Sequence, residues 1–141
     1  MIIERVTNAE NIKDAYYVRQ KVFVEEQNVS LDEEMDDFDP VAEHFVGYEG
    51  VEPVAASRLR FVDHYGKLER ICVIKELRGT SLGKQMILYM EDYVKQQGYE
   101  HTKLNAQTRA LGFYESLGYE VISEEFMDAG IPHKTMVKKL G

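Results

Sequence analysis

Runs of apolar side chains divide the first half of the chain into strands and one helix. The segment "IIERV" is predicted to be a strand because β-branched side chains dominate it. From Asn11 to about Gln27, apolar side chains recur at helical spacing, with Arg19 interrupting their stripe. The segments "EHFVGYEG" and "VEPVAASRLRFVD" then predict two strands joined by a tight turn, and "GKLERICVI" predicts a third.

The second half alternates helices and strands. Apolar side chains between Leu82 and Val94 share one helical face, and Gly98 is expected to end that helix. "HTKLNAQ" predicts a strand. Thr108 is expected to cap a short helix that ends at Gly118 in a Schellman turn. "YEVISEEFM" and "HKTMVKKL" predict two final strands joined by "DAGIP".

This order of elements predicts one mixed α/β domain over residues 1–141. Residues 68–107 form a strand, a glycine-containing turn, a helix and a strand, which is a βαβ unit with parallel strands. Ligands of such units lie beyond the carboxyl ends of the strands, at the start of the helix.

Composition narrows the class of protein. No run of 18 apolar residues is present, so we expect no transmembrane helix and no membrane partner. The N-terminal sequence lacks the basic region of a signal peptide, so none is expected. Cys72 is the single cysteine and has no partner for an internal disulfide. A reducing cytoplasmic location is therefore the expectation.

The net charge of −8 is concentrated in one segment. Residues 25–39 carry eight acidic and no basic side chains, which leaves 17 acidic and 17 basic residues elsewhere. This balance argues against nucleic acid as a partner. The acidic segment is interpreted either as a solvated, partly mobile loop or as a rim that attracts a cationic substrate such as an amine.

The stretch "LRGTSLGKQM" has the composition of a phosphate-binding loop. It is not a nucleoside-triphosphate loop, because only three residues separate Gly79 from Gly83 and Gln85 replaces the magnesium-binding hydroxyl after Lys84. The G-x-G-x-x-G fingerprint is absent as well. The free N–H groups of residues 79–84 at a helix start, together with Arg78 and Lys84, can nevertheless bind a pyrophosphate without a metal. The alternative is a turn that only connects a strand to a helix.

Three further residue types could take part in chemistry. Tyr114 follows the next strand, so its phenol is either a core side chain or a proton donor at the open end of the βαβ cleft. Cys72 is interpreted as a small core residue, because no neighbouring residue would activate its thiol. The four histidines lack metal-ligand spacing, so we predict no metal.

These residues resemble a known family. The chain is similar to the GNAT superfamily of acetyl-coenzyme A-dependent N-acetyltransferases, whose loop reads Arg/Gln-x-x-Gly-x-Gly/Ala. Arg78, Gly79 and Gly83 match this loop, and Ser81 stands where the family has its central glycine.

A later family motif, Asn-x-x-Ala-x-x-x-Tyr-x-x-x-Gly-Phe, also has a counterpart. It is similar to a run from Gln107 to Tyr119 that contains Tyr114 and Gly118, with Gln replacing Asn and Tyr replacing Phe. The stretches "VRQKVFVEEQ" and "GIPHKTM" resemble the ElaA-type branch of small bacterial acetyltransferases.

The resemblance implies the GNAT-like fold and its co-substrate, acetyl-coenzyme A. A central mixed, twisted sheet of about six to seven strands with four helices is expected, with a splayed parallel pair at the cofactor site. The pantetheine arm would pair with the backbone of the strand before the loop, and the loop amides would hold the pyrophosphate. The cofactor-binding residues implied are Ile71, Cys72, Val73, Arg78, Gly79, Thr80, Ser81, Leu82, Gly83, Lys84 and Gln107.

The resemblance also implies direct attack of an amine on the thioester, with Tyr114 protonating the departing thiolate. Glu69 is the candidate base, directly or through water, and its alternative is a surface carboxylate or a partner for Arg70. The acceptor would be a small-molecule or peptide amine bound by a monomer or homodimer. Its binding site is predicted to include Arg19, Phe23, Glu26 and His133. The alternative for His133 is a histidine at the end of a strand that is hydrogen-bonded for structure.

Two alternatives stay open at this point. The substitutions at Ser81 and Gln107 suit a non-catalytic coenzyme A-binding or protein-interaction module on the same fold. The second alternative is an enzyme that uses a different acyl donor, because the sequence does not give the size of the pocket beyond Tyr114.

Overall fold

Eight strands form one sheet in the computed structural model, which describes residues 1–141. Along the chain they are β1 (Ile2–Arg5), β2 (Glu43–Glu49), β3 (Glu52–Val62), β4 (Tyr65–Val73), β5 (His101–Gln107), β6 (Glu120–Val121), β7 (Phe126–Asp128) and β8 (Ile131–Lys139). The order across the sheet is β1-β2-β3-β4-β5-β8-β6, and β7 also pairs with β8. Only β4 and β5 pair in parallel; all other neighbours are antiparallel.

Four α-helices accompany the sheet, namely α1 (Ala9–Arg19), α2 (Leu31–Glu34), α3 (Leu82–Gln96) and α4 (Leu111–Ser116). Asn8 caps α1, because its side chain accepts the N–H of Asn11 at 2.9 Å. The helix continues beyond Arg19 as a π-helical stretch, Gln20–Glu26. The predicted helix to Gln27 is therefore confirmed in extent, but its second part is wound more widely than an α-helix.

The mixed α/β architecture predicted from the sequence is confirmed, with eight strands rather than six or seven. The extra strand arises because the predicted strand "YEVISEEFM" is interrupted near Ser123. The hydroxyl of Ser123 accepts the N–H of Thr135 at 2.8 Å and replaces a backbone partner there. β6 and β7 consequently pair with separate parts of β8.

The predicted helix ends are partly confirmed. After α4, Gly118 adopts a left-handed conformation (φ 98°), and the N–H of Tyr119 bonds to the carbonyl of Tyr114 at 3.1 Å. This is the expected Schellman turn. The predicted cap at Thr108 is wrong: Thr108 begins a 3-10 turn, Thr108–Ala110, and its side chain caps nothing.

The sheet buries an apolar cluster on each face. One cluster includes the predicted stripe of α3, formed by Met86, Ile87, Met90 and Val94. The other joins Ala15, Val18 and Val22 of the first helix to Val46, Ala56 and Cys72 of the sheet. Helices α3 and α1 thus cover opposite faces. None of the helices has the length and apolar character needed to cross a membrane.

Candidate active site

Strands β4 and β5 diverge after a short parallel contact. Residues Gly66, Lys67 and Leu68 pair with Thr102, Lys103 and Leu104, and the pairing goes no further. The carboxyl ends of the two strands therefore lie apart, as expected for a splayed pair. The open edges leave a cleft at the start of α3.

A β-bulge in β4 accompanies this divergence. Glu69 pairs with Arg58 on β3 and Cys72 pairs with Ala56, so β4 has one more residue than β3 between the two pairs. Arg70 lies within the bulge and has a left-handed backbone (φ 54°). A bulge bends its strand and redirects the side chains that follow. The bulge thus turns β4 away from β5 at the place where the cleft begins.

A cavity of about 550 Å³ occupies the cleft. Of the 17 predicted site residues, 14 line it and three, Arg19, Glu26 and Thr80, do not. The 14 are Phe23, Glu69, Ile71, Cys72, Val73, Arg78, Gly79, Ser81, Leu82, Gly83, Lys84, Gln107, Tyr114 and His133. Segments far apart in the chain therefore meet around one space, and the predicted residues are mostly among them.

The loop between β4 and α3 presents a row of free backbone donors. The N–H groups of residues 79–84 have no acceptor within the chain. Gly79 (φ 83°) and Ser81 (φ 68°) are both left-handed, which turns successive amides toward the same side. They precede α3, whose 15 residues add a favourable dipole for an anion. Thr80 contributes only its backbone, since its hydroxyl donates to the carbonyl of Leu77.

Arg78 bridges this loop to the π-helical stretch. Its guanidinium donates to both carboxylate oxygens of Glu26, the second at 2.6 Å, and its Nε donates to the carbonyl of Val73 at 3.1 Å. The hydrogen bond and charge of Arg78 hold the pKa of Glu26 below its usual range. Glu26 lines a smaller neighbouring cavity of about 310 Å³. The predicted acceptor contact of Glu26 is therefore corrected: its carboxylate is occupied by Arg78.

Tyr114 reaches the cavity from α4. Its ring packs edge-on against Phe113 and Tyr119, at centroid distances of 5.1 and 6.0 Å. No group of the chain bonds to its hydroxyl, although burial raises the pKa of Tyr114 to about 12. The phenol is thus neutral at physiological pH, and its hydroxyl has no hydrogen-bond partner within the chain.

The β4 residues after the bulge form one wall of the cavity. Ile71 and Val73 pack on the α3 side of the sheet, whereas the Cys72 side chain lies in the α1 cluster. Burial raises the pKa of the Cys72 thiol to about 12. Its Sγ lies 3.7 Å from the carbonyl of Ala56. A thiol held in this protonated form is a poor nucleophile, in agreement with its interpretation as a core residue.

Glu69 faces the cavity but is held by cations. Its carboxylate lies 3.0 Å from Arg58, 2.7 Å from Arg60 and 3.4 Å from Lys67. Although burial opposes this, hydrogen bonding to Arg60 and the neighbouring charges lower the pKa of Glu69. A carboxylate with occupied oxygens and a lowered pKa is a weak proton acceptor. The geometry thus argues against Glu69 as the base. The sequence suggested Arg70 as an alternative partner for Glu69, but Glu69 forms its ion pairs with other cations.

Arg19 lies away from the cavity, which corrects its predicted role in acceptor binding. Its guanidinium is completely buried and binds Glu34 and Asp39, each at 2.7 Å. The break in the apolar stripe therefore marks a buried ion cluster and not a face of the cleft. Burial opposes ionisation of Asp39, but the Arg19 hydrogen bond outweighs it and lowers the pKa of Asp39 to about 2.

The acidic segment is partly neutralised inside the fold. Glu34 and Asp36 also bind Arg70 of the bulge, at 2.7 and 3.4 Å. Asp36 and Asp39 bind the buried Arg58 at 2.6 and 3.0 Å. These three carboxylates belong neither to a solvated loop nor to a rim that attracts a substrate. Their ion pairs instead hold the acidic segment against β3 and β4.

Several lining residues were not anticipated from the sequence. The uncharged side chain of Gln27 accepts a hydrogen bond from Gln107 Nε2 at 3.0 Å. The end of the π-helical stretch therefore contacts the end of β5. Asn105 lies two residues before Gln107 on the same side of β5, and strand alternation predicts it once Gln107 is known. Arg109 and Asp128 also line the cavity. Nothing in their local sequence distinguishes these two side chains from solvated turn residues.

No group of three or more His, Cys, Asp or Glu side chains is arranged to hold a metal ion. The residues present suit an anionic ligand with a linear arm, because free amides lie at one end of the cavity and apolar β4 side chains along it.

Related proteins align with this chain over most of its length. The uncharacterized N-acetyltransferase YjcF of Bacillus subtilis is 50% identical over 132 residues, which cover 93% of this chain and 94% of YjcF. Protein ElaA of Escherichia coli is 30% identical over 128 residues, covering 87% of this chain and 84% of ElaA. The resemblance to the ElaA-type branch is thereby confirmed.

Solved structures agree with the fold. A protein from Lactobacillus plantarum described as an N-acetyltransferase superimposes with a TM-score of 0.93 at 33% identity, covering 99% of this chain and 98% of that one. An aminoglycoside 6'-N-acetyltransferase complexed with coenzyme A gives 0.77 at 16% identity, with 99% and 97% covered, and supports the fold alone. The sequence model described as "Acetyltransferase (GNAT) domain" matches residues 7–140. The chain therefore belongs to the GNAT acetyltransferase family and is an N-acetyltransferase.

Proposed function

We propose that the protein transfers an acetyl group from acetyl-coenzyme A to a primary amine by direct attack of the amine on the thioester. One observation carries this proposal. The unpartnered side chain of Tyr114 lines the same cavity as Gly79 and residues 81–84, whose backbone amides are free. The first is a proton donor and the second is an anion cradle, so a single bound molecule can use both.

The chain's own residues would hold acetyl-coenzyme A in two places. The amides of residues 79–84 would bind the pyrophosphate, with Lys84 adding positive charge. The open edge of β4 from Ile71 to Val73 would pair with the amide groups of the pantetheine arm, because β5 no longer bonds to it there. Membership of the GNAT acetyltransferase family supports this co-substrate.

Tyr114 would act as general acid. The thioester supplies an activated carbonyl, and the departing thiolate needs a proton. A phenol that burial keeps protonated and that has no acceptor within the chain can give that proton to the sulfur. The buried, protonated thiol of Cys72 takes no part as a nucleophile, so no covalent enzyme intermediate is required.

The test is calorimetric titration with acetyl-coenzyme A, followed by detection of free thiol with a panel of primary amines. We expect binding below tenths of millimolar and amine-dependent thiol release. Absence of binding at that concentration would contradict the proposal. Binding without transfer to any amine would instead favour a non-catalytic coenzyme A-binding module.

A further inference from the structure

His133 is an enclosed histidine whose remaining free atom is a ring nitrogen. It lies on β8 opposite Gln107 of β5, and its side chain lines the cavity. Only 8% of the residue is exposed, and its ring stacks on Phe126 with centroids 6.0 Å apart. The ring therefore has one fixed orientation.

Hydrogen bonding defines the tautomer of this ring. Its Nδ1 lies 2.7 Å from the carbonyl oxygen of Ile131. A carbonyl oxygen only accepts, so Nδ1 carries the proton and Nε2 of the neutral ring keeps a lone pair. No group of the chain bonds to Nε2, and Nε2 is not among the unpaired polar atoms sealed from solvent, which are His44 Nδ1 and Ser57 Oγ. Nε2 is therefore not sealed from solvent, and the residue that carries it lines the cavity.

The other charged groups at the cavity are less suited to accept a proton. Both carboxylate oxygens of Glu69 are already bonded to cations. Lys67 is an ion-pair partner of Glu69 at 3.4 Å, and Arg109 is a permanent cation. Asp128 also lines the cavity, from the β7–β8 hairpin, but it is an exposed residue surrounded by solvent.

We propose that Nε2 of His133 is the base that deprotonates the acceptor amine. This inference rests on the proposed function. His133 takes one proton from the ammonium group, and the neutral amine then forms a C–N bond with the thioester carbonyl as the C–S bond breaks. Nitrogen loses its second proton to water, Tyr114 supplies the proton of the new thiol, and the Tyr114 phenolate regains one from solvent. The reaction releases one proton overall, which His133 passes to solvent.

The experiment measures acetyl transfer by wild type and by His133→Ala and His133→Asn. The probes are acetyl-coenzyme A with a polyamine, an aminoglycoside and a short peptide bearing a free amine. The asparagine variant retains a donor for the Ile131 carbonyl, so it separates loss of the base from loss of that bond. His64→Ala removes an exposed histidine from the β3–β4 turn and is the matched control.

We expect both His133 variants to lose about 100-fold in kcat with a protonated amine, while acetyl-coenzyme A affinity stays within about twofold. Added imidazole should restore activity to His133→Ala but not to His133→Asn, which leaves less space. An aromatic amine, already neutral at the assay pH, should show a defect below about tenfold. A purely structural role would produce neither response.

Two results would overturn the inference while leaving the proposed function intact. The first is transfer by both His133 variants within about twofold of wild type. The second is a large loss that imidazole does not relieve and that is equal for protonated and aromatic amines. If wild type binds acetyl-coenzyme A but transfers to no amine, the proposed function fails and the inference fails with it.

Discussion

Replacing Ser81 by glycine tests whether the amide cradle is under backbone strain. Ser81 adopts φ 68° and ψ 8° immediately before α3. A left-handed conformation costs a residue with a Cβ about 1–2 kcal/mol. Glycine avoids that cost but loses about 0.5–1 kcal/mol through its greater freedom in the unfolded chain. Ser81→Gly should therefore raise the free energy of unfolding by about 0.5–1 kcal/mol, which corresponds to about 2–3 °C in Tm.

The same change is expected to tighten binding of acetyl-coenzyme A. Residues 79–81 are exposed, so the loop can relieve its strain by leaving the cradle conformation. The measured Kd is the intrinsic Kd divided by the fraction of molecules in the binding-competent conformation. If strain of about 1 kcal/mol acts on that fraction, its removal tightens binding by at most about fivefold.

Isothermal titration calorimetry and thermal unfolding should be measured on three variants. Ser81→Ala removes the hydroxyl, and with it a weak 3.3 Å bond from Gln85, but retains the strain. Gly79→Ala adds strain at φ 83° without a clash, because an added Cβ would meet nothing within 4 Å. Ser81→Gly should tighten binding, Ser81→Ala should leave it unchanged, and Gly79→Ala should weaken it. Equal tightening by Ser81→Ala would refute the strain argument and assign the effect to the hydroxyl.

Two further predictions concern ion pairs. Glu26→Gln should tighten acetyl-coenzyme A binding by about two- to fivefold, because the pyrophosphate no longer competes with the Glu26 carboxylate for Arg78. The limit follows from the exposure of the Arg78–Glu26 ion pair, since a half-exposed ion pair contributes at most about 1 kcal/mol. Glu25→Gln removes the same charge from an exposed neighbour that forms no ion pair, and equal effects in the two variants would contradict this reasoning. Asp39 has a lowered pKa of about 2, so it stabilises the fold above the unfolded-state pKa of about 4, and this stabilisation is lost as pH falls toward 2. Asp39→Asn should lower the free energy of unfolding at pH 7 by about 3 kcal/mol, since it removes one of the two carboxylates that bind the buried Arg19. It should also flatten the dependence on pH below about 4 in denaturant titrations; an unchanged acid transition would show that Asp39 does not contribute.

Local signals explain why much of the fold and the cradle could be predicted from the sequence. The stripe of α3, the glycine after its end and the loop before it all lie within 21 consecutive positions, residues 78–98. The backbone hydrogen bonds of α3 join residues four apart in the chain. Ser81 likewise stood out because it replaces a glycine, and its positive φ gives the physical reason for that glycine.

Arg19 and Glu69 show the limit of such reasoning. The partners of Arg19 lie 15 and 20 residues away on a segment without regular spacing, and those of Glu69 lie mostly on β3. A charged residue in an apolar stripe is equally consistent with a cleft and with a buried ion pair until its partners are located. The sequence likewise does not predict the orientation of the His133 ring, because this depends on the hydrogen bond to the Ile131 carbonyl and on stacking against Phe126.

The turnover and acetyl-coenzyme A affinity of Tyr114→Phe test the proposed chemistry most directly. The Tyr114 hydroxyl has no partner in the fold, so its removal leaves no buried group unsatisfied and should not change Tm. Loss of the general acid should lower kcat by about 100-fold or more, while the Kd measured by calorimetry stays within about twofold. Unchanged kcat together with a weakened Kd would contradict the account and assign Tyr114 to packing against the co-substrate.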